Sequence, residues 1–89
     1  MTEYEITIDV SELQPPEPME IVLEKLDKIQ SGQYIRMIHR MQPYPLYNIL
    51  MDDGFRYKVD ETQSLIHIFI WKGLDKVAEK HIKENFQQS

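Results

Sequence analysis

The chain has 89 residues, enough for one domain at the small end of what folds alone. Its 15 acidic residues outnumber its 10 basic ones, and the resulting net charge of −5 argues against a general affinity for nucleic acids or anionic membranes. With no apolar run long enough to cross a bilayer and no signal peptide at its start, we expect a cytoplasmic protein. The absence of cysteine excludes disulfides, thiolate metal sites and cysteine nucleophiles.

The first third of the chain predicts a strand followed by a helix. Residues 4–10 alternate apolar and polar side chains, which is typical of a strand with one buried face. Three prolines then occur between residues 15 and 18, where they suit the first turn of a helix. From Glu17 to about Ile29 apolar residues recur at helical spacing, and Gly32 favours a stop after them.

The middle of the chain repeats this order. A strand is predicted from Gln33 to about Arg40, and its alternation divides it into two faces. One face carries Ile35, Met37 and His39, and the other carries Arg36, Ile38 and Arg40. A short helix that opens at Pro45 and ends at Gly54 follows.

Two further strands complete the predicted sheet. Residues 55–59 alternate, with Arg56 and Lys58 on the polar side, and residues 60–64 are predicted to form a turn. Residues 65–71 are apolar on both faces, which indicates a central strand that is covered on two sides.

The end of the chain predicts an additional amphipathic helix. From Gly73 onward the apolar stripe consists of Leu74, Val77, Ala78, His81, Ile82 and Phe86. This helix either covers the second face of its own sheet or pairs with another copy of the chain. Without it, that face would expose Arg36, Ile38, Arg56, Lys58, His67, Phe69 and Trp71.

The element order βαβαββ indicates an α/β (α+β) domain. It agrees with a two-layer sandwich that has a four-stranded mixed sheet and two helices on one face, the architecture implied by the family resemblance that the following residues carry. We divide the chain into a domain over residues 1–72 and a C-terminal helical extension over residues 73–89.

The segment Leu13-Gln14-Pro15-Pro16-Glu17-Pro18 resembles the start of the TusA/SirA-like sulfur-carrier domains. In those domains the motif reads Cys-Pro-x-Pro, and its cysteine carries a persulfide. Pro15 stands where the cysteine would be, so the resemblance implies the fold, with a strand order of 1-2-4-3, and excludes persulfide transfer.

A narrower resemblance covers about residues 5–71. His39-Arg40-x-x-Pro43-x-x-Leu46-Tyr47, with Gly54-Phe55 and Ile70-Trp71, resembles an uncharacterised bacterial branch of that superfamily, a domain of unknown function. The resemblance implies an accessory role, often near genes of respiratory or nitrogen-oxide metabolism. It implies no reaction and no ligand.

The candidate site is the edge where the first two strands end and the following helices begin, since ligands of open α/β sheets favour that edge. We expect this site to consist of two acidic residues, the prolines of the turn, two polar side chains that recognise the ligand, and two tyrosines. These residues are Asp9, Pro15, Pro16, Glu17, Pro18, His39, Arg40, Tyr44 and Tyr47. Because helix N-termini attract anions, we expect either a small anion or a protein partner there. The competing interpretation makes His39 a core residue bonded to Asp9 or to a carbonyl group, and Arg40 a surface charge.

The function predicted from these residues is a non-catalytic binding or adaptor module without a cofactor, present as a monomer or as a homodimer through the C-terminal helix. The chain has no nucleophile motif and no phosphate loop, which disfavours an enzyme. One alternative is a metal- or haem-linked accessory protein that uses His39, His67 or His81. Another is weak RNA binding through basic residues and the aromatic pair Phe69 and Trp71, although no nucleic acid is expected from the net charge.

Overall fold

The computed structural model of the chain describes residues 4–62 and 64–87, with side chains as far as Glu84. Seven elements follow one another: β1 (Glu5–Asp9), α1 (Glu17–Leu26), β2 (Tyr34–His39), α2 (Tyr44–Asp52), β3 (Phe55–Thr62), β4 (Leu65–Lys72) and α3 (Lys76–Gln87). Among these described helices, none combines the length and the apolar character needed to cross a membrane.

The four strands form one mixed sheet in the order β1-β2-β4-β3. β1 and β2 are parallel, whereas β4 runs antiparallel to both of its neighbours, β2 and β3. The predicted fold class and the strand order that the resemblance implied are therefore confirmed. β4 is central, as its apolar residues on both faces indicated.

The main core lies between the sheet and the first two helices. Val22 and Leu26 of α1 and Leu46 and Leu50 of α2 are fully buried in one cluster with the sheet. The strands contribute Ile35, Met37, Ile68 and Ile70 to that cluster. The alternation of β2 therefore has the predicted phase, and His39, two residues after Met37, also lies on the helix side.

The end of α1 and the end of β3 differ from the prediction. α1 ends at Leu26 instead of about Ile29, because the chain tightens into a turn in which the amide of Lys28 donates to the carbonyl of Lys25. Ile29 is nevertheless buried, so the apolar pattern marked burial beyond the helix. β3 continues through residues 60–62, which were predicted as a turn, because pairing with β4 extends as far as Thr62 opposite Leu65.

α3 covers part of the second face of its own sheet. Ala78 and Ile82 are buried against Tyr34, Phe69 and Trp71. Of the two arrangements that the sequence left open, the structure has the helix on its own sheet, at the end where β2 begins and β4 ends.

The start of α3 corrects part of the predicted stripe. The helix begins at Lys76 instead of near Gly73, and the Asp75 carboxylate accepts hydrogen bonds from the amides of Ala78 and Gly32, at 3.1 and 2.8 Å. Leu74 therefore lies in the turn before the helix and is 95% exposed, while Val77 is half exposed. Helical periodicity does not apply to a residue outside the helix. The side chain of Phe86, on the same predicted stripe, lies outside the described residues.

We expect the substitution Ile82→Ala to lower the free energy of unfolding by about 2 to 4 kcal/mol, because it leaves a cavity between α3 and the sheet. Val77→Ala, on an exposed part of the same helix, should lower it by less than about 1 kcal/mol. Urea unfolding followed by the fluorescence of Trp71 measures both values. Equal effects of the two substitutions would show that α3 does not pack on the sheet.

Candidate functional site

The parallel pairing of β1 with β2 brings the starts of two helices to one edge of the sheet. Asp9 is opposite Ile38 in the register, so both strands end side by side. α1 and α2 follow these strands on the same face. Each begins with the same Pro-x-Pro pattern, which is Pro16-Glu17-Pro18 in α1 and Pro43-Tyr44-Pro45 in α2.

The prolines have equivalent places in the two helices. Pro16 and Pro43 are the N-cap residues, and Pro18 and Pro45 are the second residues of the helical turn. Proline has no amide hydrogen, so it removes donors that would be unpaired at a helix N-terminus. The amides of Glu17 and Tyr44 donate to the carbonyls of Gln14 and Gln42. The two helix starts therefore offer few free N–H groups.

These helix starts enclose a pocket of about 350 Å³. We call it the proline pocket. Prolines, aliphatic side chains and two polar side chains form its wall: Pro15, Pro16, Pro18, Met19, His39, Met41, Gln42, Pro43, Pro45 and Leu46. A small, mainly apolar cavity with few polar groups is typical of a binding site.

A second and more polar cavity of about 240 Å³ shares Pro15, His39 and Met41 with the proline pocket. It is lined on its other side by the turn from Ser11 to Gln14 and by Arg40. Arg40 Nη2 lies 2.7 Å from Glu12 Oε1, and both side chains are largely exposed. An exposed ion pair of this kind contributes about 0 to 1 kcal/mol, so it is readily exchanged for another contact.

His39 forms the wall between the two cavities. Its side chain is only 5% exposed, and within the described part of the chain its Nδ1 atom is enclosed without a hydrogen-bond partner. Burial lowers the pKa of His39 below its usual 6.5, because the charged imidazolium is desolvated there. The ring is therefore neutral at pH 7.

The surroundings also select the tautomer of His39. A buried N–H group without an acceptor costs more free energy than a buried nitrogen lone pair without a donor. Unpaired buried N–H groups are accordingly rarer in proteins than unpaired buried acceptors. The proton of the neutral ring thus belongs on Nε2, the ring nitrogen that is not enclosed in this way. His39 can therefore donate one hydrogen bond from Nε2.

The remaining predicted site residues do not line either cavity. Asp9 accepts hydrogen bonds from the amide and the hydroxyl of Ser11, at 3.0 and 2.6 Å, which lower the pKa of its carboxyl group. Its carboxylate forms no hydrogen bond with His39. Glu17 is exposed at the start of α1. Tyr44 is 67% exposed beside the proline pocket and packs edge-on against Tyr47.

Tyr47 belongs to a structural network. Its ring stacks on Tyr57 with centroids 4.2 Å apart, and its hydroxyl donates to Gln42 Oε1. Gln42 in turn donates to Glu61 at 2.8 Å, which ties the turn before α2 to β3. Burial, and after it the neighbouring Tyr57, raises the pKa of Tyr47 to about 12.

Sequence reasoning missed six of the ten residues that line the proline pocket. Its predicted members were the first prolines and His39, whereas Met19, Met41, Pro43 and Pro45 were not selected as site residues. A usable signal was present, because the Pro-x-Pro of α1 recurs at the start of α2. When two helices that both begin with Pro-x-Pro follow two parallel strands, their first turns are predicted to share a proline-lined surface.

The three histidines are not brought together. His67 Nδ1 accepts from Arg36 Nε at 3.0 Å on the other face of the sheet, and His81 stacks on Tyr4 with centroids 3.8 Å apart. Across residues 4–62 and 64–87, no three His, Cys, Asp or Glu side chains form a cluster suited to a metal ion. Phe69 and Trp71 are buried beneath α3, so neither ring is open for stacking on a base.

Residues 7–72 match the model of a family described as "Uncharacterized conserved protein (DUF2249)". The chain belongs to this family. No curated protein and no solved structure matches it. The matched residues of this DUF2249 chain include both Pro-x-Pro helix starts and His39.

We expect the ring of His39 to titrate below pH 6.5, with the proton of the neutral form on Nε2. Below pH 6.5 the unfolded chain takes up a proton that the folded protein does not yet bind. Stability should therefore fall as the pH decreases from 6.5 toward the lower pKa of the folded state. Ring ¹⁵N NMR measures the pKa and the tautomer.

The variant His39→Phe provides the control for the stability measurement, since it lacks the titrating group. Between pH 7.5 and pH 5, the free energy of unfolding should decrease less for this variant than for the unmodified chain. A His39 midpoint above 6.5, or a proton on Nδ1, would contradict this description of the ring.

Proposed function

We propose that this protein is a non-catalytic binding module that takes an apolar side chain of a partner protein into the proline pocket. His39 donates a hydrogen bond from Nε2 to a backbone carbonyl group next to that side chain. The observation that carries the proposal is the place of His39, a buried and neutral ring between an apolar cavity and a polar one.

The site favours a neutral group over an anion. Helix N-termini bind anions through free N–H groups, and the prolines remove several of these donors here. The chain as a whole also carries a net charge of −5, which opposes the approach of an anion. Of the two ligand classes expected from the sequence, the protein partner is therefore better supported than the small anion.

The surface beside the pocket supports a protein partner over a small molecule. Met41 and Tyr44 are 57% and 67% exposed where the chain enters α2. A small molecule inside the pocket would leave Tyr44 in water, whereas a protein segment can cover it together with Met41. Methionine and tyrosine are enriched at protein interfaces.

The environment of His39 supports binding instead of catalysis. A general-base histidine is oriented by a hydrogen bond at its second ring nitrogen, which also stabilises the charged form. Nδ1 of His39 has no such partner among the described residues, and burial disfavours its protonation. The ring is suited to donate a hydrogen bond without taking up a proton.

We also propose a relationship between this chain and the TusA/SirA-like domains. The strand order and the proline-rich turn support a relationship to the TusA/SirA-like domains, and the absence of cysteine supports a role other than persulfide transfer. An accessory role in respiratory or nitrogen-oxide metabolism, in the cytoplasm, rests on the resemblance alone.

The proposal is tested with three capped amino acids as probes, followed by ¹H–¹⁵N NMR. N-acetyl-leucine amide carries an apolar side chain and neutral carbonyl groups, and it should shift the amide signals around the proline pocket. N-acetyl-glycine amide lacks the side chain and should not shift them. N-acetyl-leucine carries a carboxylate, and it should bind more weakly than the neutral leucine amide.

Variants locate the binding. Met41→Ser removes an exposed part of the pocket wall and should weaken binding of the leucine amide, whereas Met51→Ser, at the other end of α2, should not. His39→Phe should weaken it by about 0.5 to 1.5 kcal/mol, the contribution of one hydrogen bond. Binding that is unaffected by Met41→Ser and His39→Phe would reject the proline pocket as the site.

A further inference from the structure

The far end of the sheet carries a second concave surface that the proposed function does not use. It is an open groove of about 750 Å³ between the end of α2, the start of β3 and the end of β4. Met51, Phe55, Trp71 and Leu74 provide most of its apolar wall, and Arg56 provides a charge. We call it the distal groove.

Two abutting turns fix the shape of the distal groove. The amide of Gly73 donates to the carbonyl oxygen of Gly54 at 2.9 Å. A Cβ atom at Gly73 would lie 2.9 Å from that oxygen and 3.3 Å from Arg56 Nε, so only glycine allows this approach. The turns that carry Met51 and Leu74 are therefore held against each other, and the groove is formed before any partner arrives.

Exposed apolar side chains project beside the groove. Leu74 is 95% exposed and Met51 is 64% exposed, although both line the groove together with the largely buried Trp71. The same patch therefore has a protruding apolar side chain and, next to it, an apolar recess. Leu74 and Met51 thus leave apolar surface in contact with water at the rim of the groove.

The charges of this patch are also of both signs. Arg56 lies in the groove, and Asp52 and Asp53 follow Met51 at the end of α2. Within residues 4–62 and 64–87, none of these three side chains forms an ion pair. Each is therefore available to a partner.

We infer that the distal groove is the contact between two copies of this chain, related by a two-fold axis. Each copy inserts its Leu74 into the groove of the other and places Arg56 against Asp52 or Asp53 of the other. A two-fold interface requires that one patch be complementary to itself. The distal groove has the elements that such an interface needs, which are a projecting leucine beside a recess and charges of both signs without ion pairs among the described residues.

This contact differs from a dimer through the C-terminal helix. Within the described part of α3, Ala78 and Ile82 are already buried, since they pack against the sheet of their own chain. The self-association surface is instead the turn before the helix. It also leaves the proline pocket open in both copies, because α2 begins at that pocket and ends at the distal groove.

Sedimentation equilibrium of the full chain tests the inference. The mass should rise with concentration from 10.7 kDa toward twice that value. Leu74→Asp should increase the dimer dissociation constant by about tenfold or more, because it places a charge in the apolar groove. Tyr44→Asp changes another exposed apolar residue, at the far end of α2, and should leave the constant unchanged.

Trp71 gives an independent signal, since it is the single tryptophan of the chain and lines the groove. Trp71 is already largely buried, so its emission intensity, more than its wavelength, should change along the same concentration curve as the mass. Arg56→Glu should weaken the dimer, and combining it with Asp52→Arg and Asp53→Arg should restore it, because each copy then supplies both reversed charges.

A chain that stays monomeric up to about 1 mM would overturn the inference. So would a dimer that persists in Leu74→Asp, or one that Tyr44→Asp disrupts instead. Since Leu74 is almost wholly exposed, its substitution does not affect the core, and circular dichroism checks that the variants are folded.

Discussion

The parallel pairing of β1 with β2 is the constraint on which the rest of the structure depends. It aligns the ends of the two strands, so that both following helices must begin at one edge of the sheet. Since α1 and α2 also lie on the same face, their first turns become neighbours. A site made from two distant parts of the sequence, near Pro16 and near Pro43, is the direct result.

The prolines determine what that edge can bind. At such an edge the helix N-termini normally present N–H groups to an anion. Here Pro-x-Pro at both starts replaces donors by apolar rings, and the neighbouring amides are already paired with backbone carbonyls. Selectivity then depends on shape, on apolar contact and on the one hydrogen bond that a neutral His39 can donate. Burial of His39 encloses Nδ1 and so leaves the proton on Nε2. It also lowers the pKa of His39, which keeps the ring uncharged.

The fold could be predicted from the sequence more completely than the site, for a physical reason. The period of the apolar residues marks which face of an element is buried, and it predicted the strand faces, the central place of β4 and the helix side of His39. It does not mark which buried residues enclose a cavity, so Met19, Met41 and the second pair of prolines were missed. Nor does it apply outside an element, which is why Leu74 was wrongly assigned to the buried stripe of α3.

By itself the sequence determined the kind and order of the elements, the identity of the core and the absence of thiol chemistry, because these follow from local periodicity and from the absence of cysteine. Only the tertiary structure decided where α3 lies, which nitrogen of His39 is enclosed and that two Pro-x-Pro segments share one pocket. These properties depend on strand register and on the packing of residues far apart in the chain. A single sequence does not specify such relations locally, and they are fixed when the sheet is assembled.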